Sequence, residues 1–131
     1  MRQVEMRIRV GAVLAALLVL VSCGDDEPPG ADHEIKIRAM DFFGNDLSIR
    51  PGETVEWVNT LARPDTRTVT SGRPTDDVST HGLLFDETLL GHKDGEAFGQ
   101  RFTFKFEDPG EYVYFTRLPG DNQFTGIIRV Q

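Results

Sequence analysis

Few side chains in this sequence could do chemistry, and each group suggests a different kind. His81 and His92 stand in a stretch that also holds Asp76, Asp77, Asp86, Glu87 and Asp94. Two imidazoles with a carboxylate such as Asp86 make an acceptable ligand set for Cu(II) or Zn(II). No spacing fixes the two histidines on one face, so the plainer reading is a pair of loop histidines among solvating acids. Arg67 and Arg117 could grip a carboxylate or phosphate bidentately if their strands open on the same pole of the fold. The alternative is that each pairs with a local acid such as Asp65 or Asp121 and closes that pole as an ordinary ion pair. His33 and Met40 stand alone, and Met40 is too solitary for a thioether-rich Cu(I) site. Nothing assembles an enzyme. There is no Ser–His pairing at recognisable spacing, no glycine-rich phosphate loop and no zinc signature, so no catalytic residue is expected.

Cys23 is the only thiol, and its surroundings assign it elsewhere. Arg2, Arg7 and Arg9 precede an unbroken apolar run from Val10 to Val21. The run has the size of a signal-peptide core and is short for a membrane-spanning helix. Leu20-Val21-Ser22-Cys23 resembles the lipobox of bacterial lipoproteins, which implies cleavage before Cys23 and its lipidation. An uncleaved anchor or a plain secretory signal is the competing reading. Residues 1–22 are thus read as a lipoprotein signal peptide, and 23–32 as the lipidated cysteine with a charged, flexible tether. Residues 33–131 form one domain held at a membrane, in the cell envelope on the periplasmic or cell-surface side. With the thiol used as an anchor, neither an internal disulfide nor a free thiolate is available.

Composition narrows the partners. The formal charge is -7, and setting aside Met1 to Ser22 removes three Lys/Arg but one Asp/Glu, leaving 11 against 20. A nucleic-acid partner needs a positive surface and is not expected. The membrane, through the anchor, and another envelope protein are the partners considered; the oligomeric state stays open.

The elements that must position these side chains are strands. Glu34 to Arg38 alternates so that Ile35 and Ile37 share a face, and Leu47-Ser48-Ile49 alternates again. Thr54 to Asn59 and Thr66 to Thr70 are rich in β-formers. Phe98, Phe102, Phe104 and Phe106 keep even positions, Glu107 to Gly110 turns the chain, and Tyr112 to Thr116 and Phe124 to Val130 follow. Between Ser71 and Ala97 the pattern breaks down, with Gly82 to Phe85 and Leu89-Leu90 as docking points for a long loop. About seven short strands separated by turns indicate an all-β antiparallel sandwich.

Leu47 to Asn59 with its Arg50-Pro51-Gly52-Glu53 turn, Thr68-Val69-Thr70-Ser71-Gly72, Phe85-Asp86-Glu87, Phe102-Thr103-Phe104 and Pro109 to Tyr114 together resemble the cupredoxins, the plastocyanin-like or blue copper proteins. The resemblance covers nearly all of the chain after the tether and implies a Greek-key β-sandwich. It also implies a copper held at one end by two imidazoles, a thiolate and a thioether. The family pattern places the first histidine where this chain has Arg67, the thiolate at Thr116, the second histidine at Leu118 and the thioether at Phe124. No ligand position is retained, and no ligand-type residue follows His92. The expectation is therefore a domain with no copper cofactor that works as a binding or structural module. The alternative is a copper-binding or electron-transfer protein with an atypical site at His81 and His92.

Overall fold

The computed structural model describes residues 30–117 and 123–131; the signal reading, Cys23 and the tether reading up to residue 29, Leu118 and Asp121 lie outside them. Nine strands are present among the described residues: β1 (His33–Ile37), β2 (Phe42–Phe43), β3 (Asp46–Ile49), β4 (Glu53–Asn59), β5 (Thr66–Ser71), β6 (Asp86–Leu90), β7 (Arg101–Phe106), β8 (Gly110–Phe115) and β9 (Thr125–Val130). They form two sheets, ordered β2-β1-β4-β7 and β3-β9-β8-β5-β6, packed face to face as a sandwich. One 3₁₀ turn, Val78–Thr80, interrupts the long connection between β5 and β6. No helix among the described residues is long and apolar enough to cross a membrane.

The alternating residues meet between the sheets. Ile35 and Ile37 of β1, Val55 and Trp57 of β4, Val69 of β5, Tyr114 of β8 and Ile128 of β9 are fully buried. Trp57 stacks on Phe102 at 5.7 Å and meets Tyr114 edge-on at 5.2 Å. Phe85, Phe102, Phe104 and Phe106 continue this aromatic layer. Such packing is dominated by hydrophobic burial, at roughly 25 cal/mol per Å² of apolar surface.

Two expectations are corrected here. The sandwich is mixed: β1 runs parallel to β4 and β3 parallel to β9. Parallel neighbours need a crossover, and for β1 and β4 the intervening β2 and β3 supply it, because β3 belongs to the opposite sheet. The long loop, in turn, contains β6, which pairs antiparallel with β5 from Thr66↔Leu90 to Thr70↔Asp86. Of its docking residues Phe85 and Leu89 are buried, whereas Leu83 and Leu84 are exposed.

The chain enters the domain at the end opposite Arg67. His33 and Val55 begin the β1–β4 register and Ile37↔Asn59 ends it, and β5 starts just beyond Asn59. Asp32 is already tied in, its Oδ2 accepting from the Thr54 N–H at 2.8 Å. His33 reaches Glu53 at 3.4 Å and is only partly exposed.

Candidate functional site

β5 lies between β8 and β6 within its sheet, and its alternation sends Arg67, Val69 and Ser71 to the core side, Thr68 and Thr70 to the outer side. Val69 is fully buried, so the first inward residue, Arg67, ends up beneath the pole of the sandwich with 7% of its surface exposed. Its Nη1 donates to the Thr66 carbonyl at 3.0 Å and its Nη2 to the Ala39 carbonyl at 3.4 Å. Its Nε is buried without a partner, and no carboxylate among the described residues forms an ion pair with it.

Thr116 stands beside it at the end of β8. It is fully buried; its Oγ1 accepts the Thr68 N–H at 3.2 Å, and its own N–H donates to the Phe124 carbonyl at 3.1 Å. Phe124 is half-buried and meets Phe42 edge-on at 4.7 Å. Arg67, Thr116 and Phe124 are therefore gathered at one pole by two strand ends and the segment leading into β9.

Arg117 leads elsewhere. Its N–H donates to Thr68 Oγ1 at 2.7 Å, its Nε to Thr70 Oγ1 at 3.2 Å, and its Nη2 pairs with Asp86. Thr70 also donates to Asp86 at 2.9 Å. This ladder runs along the outer face of β5, so the two guanidinium groups share no partner. Asp86, not Asp65, is the acid on Arg117.

His81 and His92 are not brought together. His81 Nε2 lies 2.6 Å from the Arg73 carbonyl and its ring meets Phe115 edge-on at 4.8 Å. His92 Nδ1 lies 3.1 Å from the Lys93 carbonyl, and its backbone bridges to Ala62. The five-residue strand β6 separates them, which at about 3.4 Å per residue is roughly 17 Å. Asp86 is engaged by Arg117 and Thr70. Asp77 caps the 3₁₀ turn, and the Ser79 N–H it accepts holds its carboxyl below the usual range. Among the described residues no group of three or more His, Cys, Asp or Glu side chains is placed to hold a metal ion.

The family model for copper-binding proteins of the plastocyanin/azurin family matches residues 30–131. The chain belongs to that family. A plastocyanin of Scenedesmus fuscus is 29% identical over 103 residues, covering 71% of this chain and 89% of that protein. The amicyanin of Paracoccus versutus aligns with a TM-score of 0.54 at 23% identity, over 81% of this chain and 86% of its own. A purple cupredoxin of Nitrosopumilus maritimus aligns with a TM-score of 0.55 at 24% identity, over 76% of this chain and all of its own.

The pole of this cupredoxin does not offer a type 1 copper donor set. At the three described positions where the resemblance expects ligands, it has a guanidinium, a hydroxyl and a phenyl ring, while a copper of that kind needs imidazole, thiolate and thioether. A fixed guanidinium also repels a metal cation. Two contributors to the pole escaped sequence reasoning. The Ala39 carbonyl comes from a short bend with no side-chain signal. Fully buried Asn59, which donates to the Leu89 carbonyl at 2.8 Å and accepts from Leu61 N–H at 2.9 Å, ties the β4–β5 connection to β6. A polar residue closing an apolar strand was its only trace in the sequence.

Proposed function

We propose that this cupredoxin is a lipid-anchored envelope protein that acts as a binding or structural module, not as an electron carrier or an enzyme. One observation carries the reading: Arg67, where the resemblance expects the first ligand, lies buried with no acid paired to it among the described residues, next to a hydroxyl where the resemblance expects the thiolate. Electron transfer through a type 1 centre depends on covalent copper–thiolate coupling, which a threonine cannot supply. The fold alone does not carry the activity of its relatives.

Titrating the full chain in detergent with Cu(II) and then Cu(I) tests this. No intense visible band and no tight stoichiometric binding are expected. An intense blue or purple centre would overturn the proposal. Pale binding abolished by His81→Ala with His92→Ala would replace it with the atypical copper site. The anchor is tested separately: mass analysis of the membrane-extracted protein should find acylated Cys23, and Cys23→Ala should release the domain to the soluble fraction.

A further inference from the structure

We infer that the Arg67 pole is a receptor for a small oxyanion, a carboxylate or a phosphate. The inference rests on the reading that this pole no longer serves copper, and names what it serves instead. A buried cation is expensive to keep unless paired, and in most proteins an acid lies against it. Here 20 Asp and Glu residues follow Ser22, and several more accessible arginines pair with them: Arg38 with Asp41, Arg101 with Glu34 and Glu56, Arg129 with Asp46 and Glu111, while exposed Arg63 donates to the Gly91 carbonyl. The most buried arginine has none among the described residues. Among the described residues its acceptors are two neutral carbonyls, one of them distant at 3.4 Å, and its buried Nε has no hydrogen-bond partner.

The chemistry of the substitution points the same way. In the copper arrangement a thiolate and neutral imidazoles offer negative charge to a cation. With a hydroxyl at Thr116 and a guanidinium at Arg67 the sign is reversed, so the complementary guest is an anion. A guanidinium presents five N–H donors in a rigid fork suited to planar or tetrahedral oxyanions. Two of them are used on carbonyls here. Arg117 is not part of the receptor, since Asp86 and Thr70 already hold it.

The test follows the Arg67 Nε–H cross-peak by NMR in the full chain in detergent, titrated with inorganic phosphate, acetate and chloride at matched ionic strength. A saturable shift with phosphate or acetate is expected, and the stronger of the two identifies the guest. Arg67→Lys keeps the charge and loses the fork, so its affinity, read from neighbouring Thr66 and Thr68 amides, should fall about tenfold. Arg67→Gln should abolish the response. Equal shifts with chloride, no saturation up to about 100 mM of either oxyanion, or an undiminished response in a folded Arg67→Gln protein would overturn the inference. Adding copper to the same sample separates the two claims: a failed oxyanion titration without copper binding removes only the receptor, whereas a thiolate-type copper band removes the reading beneath it.

Discussion

Replacing Arg67 with methionine should stabilise the protein in buffer free of polyvalent anions. The side chain is 7% exposed, so its charge has lost most of its hydration, at an effective cost of several kcal/mol for a buried ion. What it gains in return is small. The bond to the Thr66 carbonyl at 3.0 Å contributes about 2 kcal/mol as a charge-assisted contact, and the one to Ala39 at 3.4 Å less than about 1 kcal/mol. The balance is a net cost of roughly 1 to 2 kcal/mol, which a methionine of similar length avoids while still packing against the β5 neighbours. The Ala39 carbonyl lies in an exposed bend and can turn to water. For a domain of this size each kcal/mol corresponds to about 4 to 8 °C in Tm, so the variant should melt roughly 4 to 16 °C higher by circular dichroism. Adding phosphate should narrow the gap by stabilising only the parent protein, through mass action. A variant that melts lower in anion-free buffer would show that the guanidinium is compensated in place, and the reasoning about an unpaired charge would fail with it.

Gly126→Ala should destabilise the domain by about 3 kcal/mol as overpacking, because a Cβ there would lie 2.2 Å from the ring of Tyr114, which is fully buried against Trp57; a denaturant midpoint unchanged from the parent would contradict this packing. Acid should weaken the fold through Asp32, Asp41, Glu53 and Asp77, whose carboxyls are held below their ordinary 3.8 to 4.5, chiefly by the Thr54 N–H, the Arg38 guanidinium, the Arg50 N–H and the Ser79 N–H respectively. Groups lowered in the folded state contribute stability that is fully present above the unfolded values and lost as pH falls through the folded ones. Tm should therefore hold near neutrality and drop below about pH 4, with a shallower drop in Asp32→Asn.

Much of the sheet layout was legible because an inward-facing period of two writes itself into the residues. Ile35 and Ile37, Val55 and Trp57, and Phe102, Phe104 and Phe106 each mark one face, and β1, β4 and β7 follow. Strand direction leaves no such mark, which is why the two parallel pairs were not foreseen. β6 was hidden for another reason. As an edge strand whose first three residues, Asp86, Glu87 and Thr88, are all exposed, it has only Leu89 buried, and charge on an edge is a common defence against unwanted pairing. Its sequence looks like loop because solvent covers most of it.

The site divides in the same way. That Arg67, Thr116 and Phe124 stand where relatives would hold copper is what the family resemblance implies, and the strand ends on which they sit follow from the turns. Their state could not, because burial and partnership depend on residues far along the chain: Ala39 is 28 residues from Arg67, and Asp86 is 31 from Arg117. This explains how the pole could change its chemistry without disturbing the sandwich. Its framework consists of bonds that do not involve position 67: the Thr68 N–H on the Thr116 hydroxyl, the Arg117 N–H on the Thr68 hydroxyl and the Thr116 N–H on the Phe124 carbonyl. A threonine at position 116 accepts the bond that locks the end of β8 to β5, so the strand ends stay in register whatever stands at 67. An arginine there costs little in geometry and a good deal in electrostatics, and a cost of that kind is what an incoming anion can remove.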